Sequence, residues 1–274
     1  MIVIIIMLHI QFIPPRIRPG STPNDFAMDY ETLEIITHKN KKLFSWFITA
    51  KSSAPLIIII HGWGSSSALM LPIANTFYQA GLNVLLVDSR CHGQSDADTY
   101  SALPRFSEDI NCAIDYAKNN LSFNGKIILL GHSVGAGAVL YSAAQRDDIS
   151  AVISLSAFGS PEWLMQRYFN NFNLPGFLIK FLLSYIQWVI GHKFNEIAPV
   201  NTIKKITIPV LIVHGTHDKT VPLQDAYAIQ KNNHNGHLLI IENARHDSVD
   251  KIESHGHLLI QFLYDENVLS VPTM

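Results

Sequence analysis

Apolar residues along this chain gather in short continuous runs, separated by longer segments in which they recur every three or four positions. That is the pattern of strands buried on both faces alternating with amphipathic helices. The runs fall at 56–60, 83–87, 126–130, 150–155, 209–213 and 237–241, with helical segments near 70–80, 105–120, 135–146, 222–232 and 248–264. Ahead of them, Thr32 to Thr37 and Leu43 to Phe47 flank the polar turn His38-Lys39-Asn40-Lys41-Lys42 and predict an opening antiparallel pair. The pattern implies an α/β fold: a mostly parallel sheet with helices on both faces and any site at the carboxyl ends of the strands. The 274 residues are enough to bury the core of one such domain.

Between Ser156 and Ile208 the alternation breaks. An insert of about 157–206 is rich in large apolar side chains, among them Phe158, Trp163, Phe169, Phe177, Phe181 and Trp188. Leu174 to Gly191 approaches a membrane span in length, but the flanking strands must share one sheet, which favours a helical segment of the domain. Its aromatics either line an apolar pocket, with Phe158, Trp163 and Phe169 as candidate substrate contacts, or seal the insert to the domain.

The chemistry is most legible at Gly131-His132-Ser133-Val134-Gly135, which follows an apolar run and precedes a small-residue helix. A strand turning sharply into a helix at serine exposes its Oγ, and flanking glycines remove Cβ atoms that so tight a turn cannot hold. A hydroxyl nucleophile needs a base, and the base needs an acid to hold its tautomer. Asp218 lies on the loop leaving the 209–213 run, and His246 on the loop leaving the 237–241 run, which is the chain order Ser, Asp, His. His217 is too close to Asp218 in sequence to serve as the base, and Asp225 reads as a solvated helix face. Oxyanion donors are expected from the amide of Val134 and from that of Trp63, on the loop after the 56–60 run. The Trp63 indole either lines the acyl pocket or packs under its loop.

These stretches together resemble the α/β-hydrolase superfamily. His61-Gly62-Trp63-Gly64 is similar to its oxyanion loop, and Asp88-Ser89-Arg90-Cys91-His92-Gly93-Gln94-Ser95 to its D-x-R-G-H-G-x-S turn, with Cys91 in place of glycine. His214 to Pro222 resembles its H-G-x-x-D-x-x-V-P acid loop, and His246-Asp247 its closing base. The similarity runs from about Leu33 to Phe262. It implies an eight-stranded-type sheet and a helical cap at about 157–206 within a domain of 26–274. It also implies a serine hydrolase, esterase- or lipase-like, acting on a small-molecule ester without cofactor or metal. Serine at 133 argues against the family's carboxylate-nucleophile dehalogenases and epoxide hydrolases. A serine peptidase or acyltransferase on the same fold is the alternative, and a non-catalytic binding protein the reading from another class.

Composition narrows the partners. A net charge of −2 and a pI near 6.7 offer no basic field for nucleic acid. Two cysteines form no framework of bridges and imply a reducing compartment. The one close histidine pair outside the motifs, His255 and His257, does not share a helix face, so no metal is expected. Residues 1–25 form a leading segment. Its first 13 residues are apolar and end at Pro14-Pro15; as a helix they would cover about 20 Å, short of the ~30 Å hydrocarbon core. A membrane anchor or interfacial segment, an element packed on the domain, and the remnant of a longer leader stay open, so the expected location is cytoplasmic or peripherally membrane-associated.

Overall fold

The computed structural model describes residues 9–270 apart from 11, 18–19, 52 and 234–235. The strands are β1 (Tyr30–Thr37), β2 (Lys41–Ile48), β3 (Leu56–Ile60), β4 (Asn83–Val87), β5 (Ile127–His132), β6 (Ala151–Leu155), β7 (Val210–Gly215) and β8 (Gly236–Ile241). They form one eight-stranded sheet in the order β1-β2-β4-β3-β5-β6-β7-β8. Only β1–β2 and β2–β4 are antiparallel; every later pairing is parallel. A parallel sheet is buried on both faces, and successive side chains go to opposite sides. In β3, Leu56, Ile58 and Ile60 enter one core layer, while Ile57 and Ile59 enter the other. Each fully buried side chain of this kind contributes about 1.5–3 kcal/mol, so both layers are substantial.

The helices covering the sheet are α1 (Leu71–Gln79), α2 (Leu103–Asn120), α3 (Val134–Ala143), α4 (Pro161–Asn170), α5 (Gly176–Ile190), two short turns α6 (Phe194–Ile197) and α7 (Pro199–Thr202), then α8 (Leu223–Gln230), α9 (Val249–Ser254) and α10 (Gly256–Asp265). The segment expected as one helix over 248–264 is two, broken at His255. A Cβ at Gly256 would lie 2.5 Å from the Thr76 side chain, so this glycine lets the chain approach α1 where a regular side chain would not fit.

Helices α4 to α7 occupy the insert between β6 and β7. At 15 residues, α5 is about 22 Å long, and among the described residues no helix is long and apolar enough to cross a membrane. Of the leading segment, residues 1–8 and 11 lie outside the described residues. Phe12 packs against the core and its carbonyl accepts the Ser101 amide, Pro15 lies against Gly64, and Arg16 donates to the Ser95 carbonyl.

Candidate active site

Ser133 stands between β5 and α3 with φ 56° and ψ −116°, a conformation a side-chain-bearing residue holds only when its surroundings force it. Here the chain crosses too closely for anything else. A Cβ at Gly131 would lie 2.3 Å from the Gly135 carbonyl oxygen, and one at Gly135 2.4 Å from that of His61. Strand β5 continues through His132, so the turn begins at the serine itself.

The sheet brings three separate loops to this point. His246, on the loop after β8, places Nε2 2.9 Å from Ser133 Oγ, and its Nδ1 donates to Asp218 Oδ2 across 2.7 Å. A carboxylate at Nδ1 fixes the tautomer that leaves Nε2 free to accept the serine proton. Asp218 is held in turn by the amides of Thr220 and Val221, at 2.9 and 2.8 Å on its Oδ1. Burial pushes its carboxyl pKa up, but the His246 and Val221 hydrogen bonds outweigh that and hold it below the ordinary carboxylate range. His217, set aside as a base, instead pairs with Thr216 Oγ1 on an exposed loop.

Two buried histidines, present in the motifs but without a role assigned from sequence, support this arrangement. His132 Nε2 donates to the main-chain oxygen of His246 at 2.7 Å, tying the nucleophile strand to the loop that carries the imidazole. His61 Nδ1 donates to the Gly62 oxygen at 2.7 Å, and its Nε2 accepts the Ser89 amide at 3.1 Å. Burial lowers the pKa of each to about 4, so both are neutral near pH 7 and keep these donor and acceptor roles.

The Gly62-Trp63 loop lies beside the serine: a Cβ at Gly62 would be 3.1 Å from Ser133 Cβ. Among the described residues, neither the Trp63 nor the Val134 amide donates to a main-chain acceptor outside regular helix and strand bonding. The Trp63 indole meets His92 edge-on at 5.6 Å. Cys91, the departure from glycine, has φ 69°, and its neighbour Gly93 cannot carry a Cβ because Asp88 Oδ2 would be 1.9 Å away. Asp88 accepts the amides of Ser67 and Gln94, which ties this turn to the segment that follows the Gly62-Trp63 loop.

Asp225 corrects the sequence reading. Far from a solvated face, it is 3% exposed, accepts the Gly159 amide at 2.8 Å, and pairs with both terminal nitrogens of Arg167 on α4 at 3.1 and 2.8 Å. It joins the insert to the core. Phe158 and Phe169, each 4% exposed, are packed within the core, whereas Trp163 covers Gly159 and keeps part of its indole exposed. A hollow of about 570 Å³ beside the His246 loop is polar, lined by His217, Asn243, Arg245, Asp247, Ser248 and Lys251. Among the described residues no group of three or more His, Cys, Asp or Glu could hold a metal ion.

The family model described as "Serine aminopeptidase, S33" matches residues 51–201, more than half of the chain and inclusive of the serine elbow. The chain belongs to this α/β-hydrolase family. As a family member it is 31% identical over 195 residues to the uncharacterized protein YqkD of Bacillus subtilis, covering 69% of the chain and 64% of that protein. Over 209 residues it is 28% identical to protein bem46 of Schizosaccharomyces pombe, covering 73% of the chain and 64% of bem46. The hydrolase thus spans just under two thirds of these relatives' length. Its fold is similar to the Pyrococcus furiosus esterase Pf2001, with TM-score 0.73 and 25% identity, covering 92% of this chain and 96% of that one.

Proposed function

We propose that this hydrolase cleaves carboxylic esters through an acyl-enzyme. The observation that carries the reading is the relay from Ser133 Oγ to His246 Nε2 and from His246 Nδ1 to Asp218, at 2.9 and 2.7 Å. Ser133 Oγ attacks the ester carbonyl carbon as His246 takes its proton; the amides of Trp63 and Val134 receive the charge that develops on the carbonyl oxygen. When the tetrahedral intermediate collapses, the carbon–oxygen bond to the leaving alcohol breaks and His246 returns the proton to that oxygen. Water then repeats the sequence against the acyl-enzyme and frees Ser133. Asp218 orients the imidazole throughout and stabilises its charged form.

Likeness to an esterase supports ester over amide, whereas the family's description as serine aminopeptidase supports the same relay acting on a peptide bond. Of the three candidate substrate contacts, Trp163 is the one that keeps exposed surface, which points to an apolar acyl or alkyl group against its indole. A panel of p-nitrophenyl esters from acetyl to octanoyl, run beside aminoacyl amides, separates these readings. The expected result is ester turnover with kcat/KM rising toward medium chains, each buried methylene adding up to about 0.8 kcal/mol. A steady fall from acetyl to octanoyl would remove the apolar pocket, and faster turnover of the amides would make the chain a peptidase.

A further inference from the structure

Strand β7 carries near its end a buried histidine, His214, to which the relay as described gives no part. Successive side chains of β7 alternate between the two core layers: Leu211 and Val213 enter one, Val210 and Ile212 the other. His214 follows on the side of Ile212, where the loop from Asp218 to Val221 folds back onto it, and its ring is closed off from solvent. An imidazole in such a layer costs desolvation unless its polar atoms are used. Here one is used and one is not. Nε2 lies 2.8 Å from the Val221 carbonyl oxygen and 3.5 Å from Asp218 Oδ2, while Nδ1 is buried without a hydrogen-bond partner among the described residues. A carbonyl and a carboxylate only accept, so the ring proton sits on Nε2.

Val221 links this ring to the acid. Its amide donates to Asp218 Oδ1 at 2.8 Å and its carbonyl accepts from His214. Asp218 Oδ2, which accepts the hydrogen bond from His246 Nδ1 at 2.7 Å, thus has His214 as its second imidazole neighbour, at the range of a dipole contact. The ring has to stay uncharged for this to help. A cation at His214 would neutralise Asp218 and leave less of its charge for the imidazolium that forms at His246. The titratable groups facing the ring are Asp218, His246 and Asp225, and Asp225 is already paired with Arg167. Burial pushes the His214 pKa below the ordinary histidine value, against the pull of the Val221 carbonyl, so near pH 7 the ring orients the acid without consuming its charge.

We propose that His214 is a positioning residue of the relay: its Nε2–H holds the Val221 peptide and faces Oδ2, so that Asp218 keeps one oxygen on His246 through the cycle. This deepens the acyl-enzyme reading and rests on its relay, but not on the choice of ester over amide.

Two substitutions separate a hydrogen-bond donor from a space-filler. His214→Gln keeps an N–H donor near the place of Nε2, whereas His214→Leu fills the volume without one. On p-nitrophenyl butyrate, His214→Leu should lower kcat about tenfold or more with KM within about twofold, and His214→Gln should recover most of that loss. Proton NMR without substrate gives the second readout. The far-downfield resonance of His246 Nδ1–H should weaken or move upfield in His214→Leu and hold its place in His214→Gln. If His214→Leu matches His214→Gln in both readouts, His214 only packs and the positioning role is overturned. Should His214→Leu fail to fold, nitrogen-15 spectra of the unaltered chain decide: His214 is expected neutral with its proton on Nε2, and a ring protonated on Nδ1 or on both nitrogens at pH 7 would overturn the role. These resonances need no turnover, so a chain inactive on every ester would undo the ester reading and leave the role of His214 standing. Absence of the His246 resonance from the unaltered chain would undo the relay and that role with it.

Discussion

The elbow at Ser133 and the insert between β6 and β7 are held by different means. At the elbow, main chain meets main chain: Gly131, Gly135 and Gly62 each sit where a Cβ would press on a neighbouring loop, and His132 and His61 pin the loops through carbonyl oxygens. Such a site is over-determined, because no single side chain can move without several backbone segments moving as well. The insert packs its inner aliphatic face on the core, but its polar tie is concentrated at one carboxylate, Asp225, which gathers the Gly159 amide and the Arg167 guanidinium. The hydrogen-bonded relay sits in the region held by main chain, and the insert is the region that fewer directed polar contacts hold.

The comparison breaks most sharply at the relay. His246→Ala should lower kcat by about four to six orders of magnitude with KM little changed, because the base acts in the transition state. Asp218→Asn should cost about 10⁴, since an amide at Nδ1 favours the wrong tautomer, and the double variant should be hardly worse than His246→Ala alone. Steady-state kinetics on p-nitrophenyl butyrate with circular dichroism as a fold control measures this. Wild-type kcat in Asp218→Asn would place the acid elsewhere.

A smaller effect is expected at the tie between insert and core. Asp225→Asn keeps an acceptor for the Gly159 amide but leaves the Arg167 charge unmatched. Arg167 is partly solvated, which limits the loss to about 1–2 kcal/mol. Urea denaturation should show that loss, with kcat on a short acetyl ester within about threefold of the unaltered enzyme. If the same substitution removed activity while leaving stability intact, Asp225 would belong to the chemistry and the division drawn between the two regions would fail.

What the sequence disclosed follows the same division. All eight strands were legible, six as unbroken apolar runs bounded by turns, whose ends in a parallel sheet mark the site, and the partly exposed β1 and β2 as a pair flanking a polar turn. Ser133, Asp218 and His246 were legible as loop residues following such runs, and the structure brings them within hydrogen-bond reach. Asp225 was not. An acid in the first turn of a helix is the ordinary pattern of a solvated N-terminus, and the guanidinium that changes its meaning lies 58 residues earlier, in a helix whose docking no periodicity records. The break at His255 was hidden for a similar reason: apolar spacing runs on through Gly256, and only the approach of Thr76 shows why a glycine is there. His132 was visible within its motif, but its partner is a backbone oxygen more than a hundred residues away, and a main-chain acceptor leaves no mark on the sequence.

The central claim, that the strained serine at the elbow is a nucleophile activated by His246, is tested most directly by covalent labelling. A fluorophosphonate probe incubated with the folded chain should modify one residue, mapped by peptide mass spectrometry to Ser133. Labelling should disappear in Ser133→Ala and be slowed severely in His246→Ala, with the fold intact in both. Labelling that persists in Ser133→Ala, or that maps to another serine, would contradict the account.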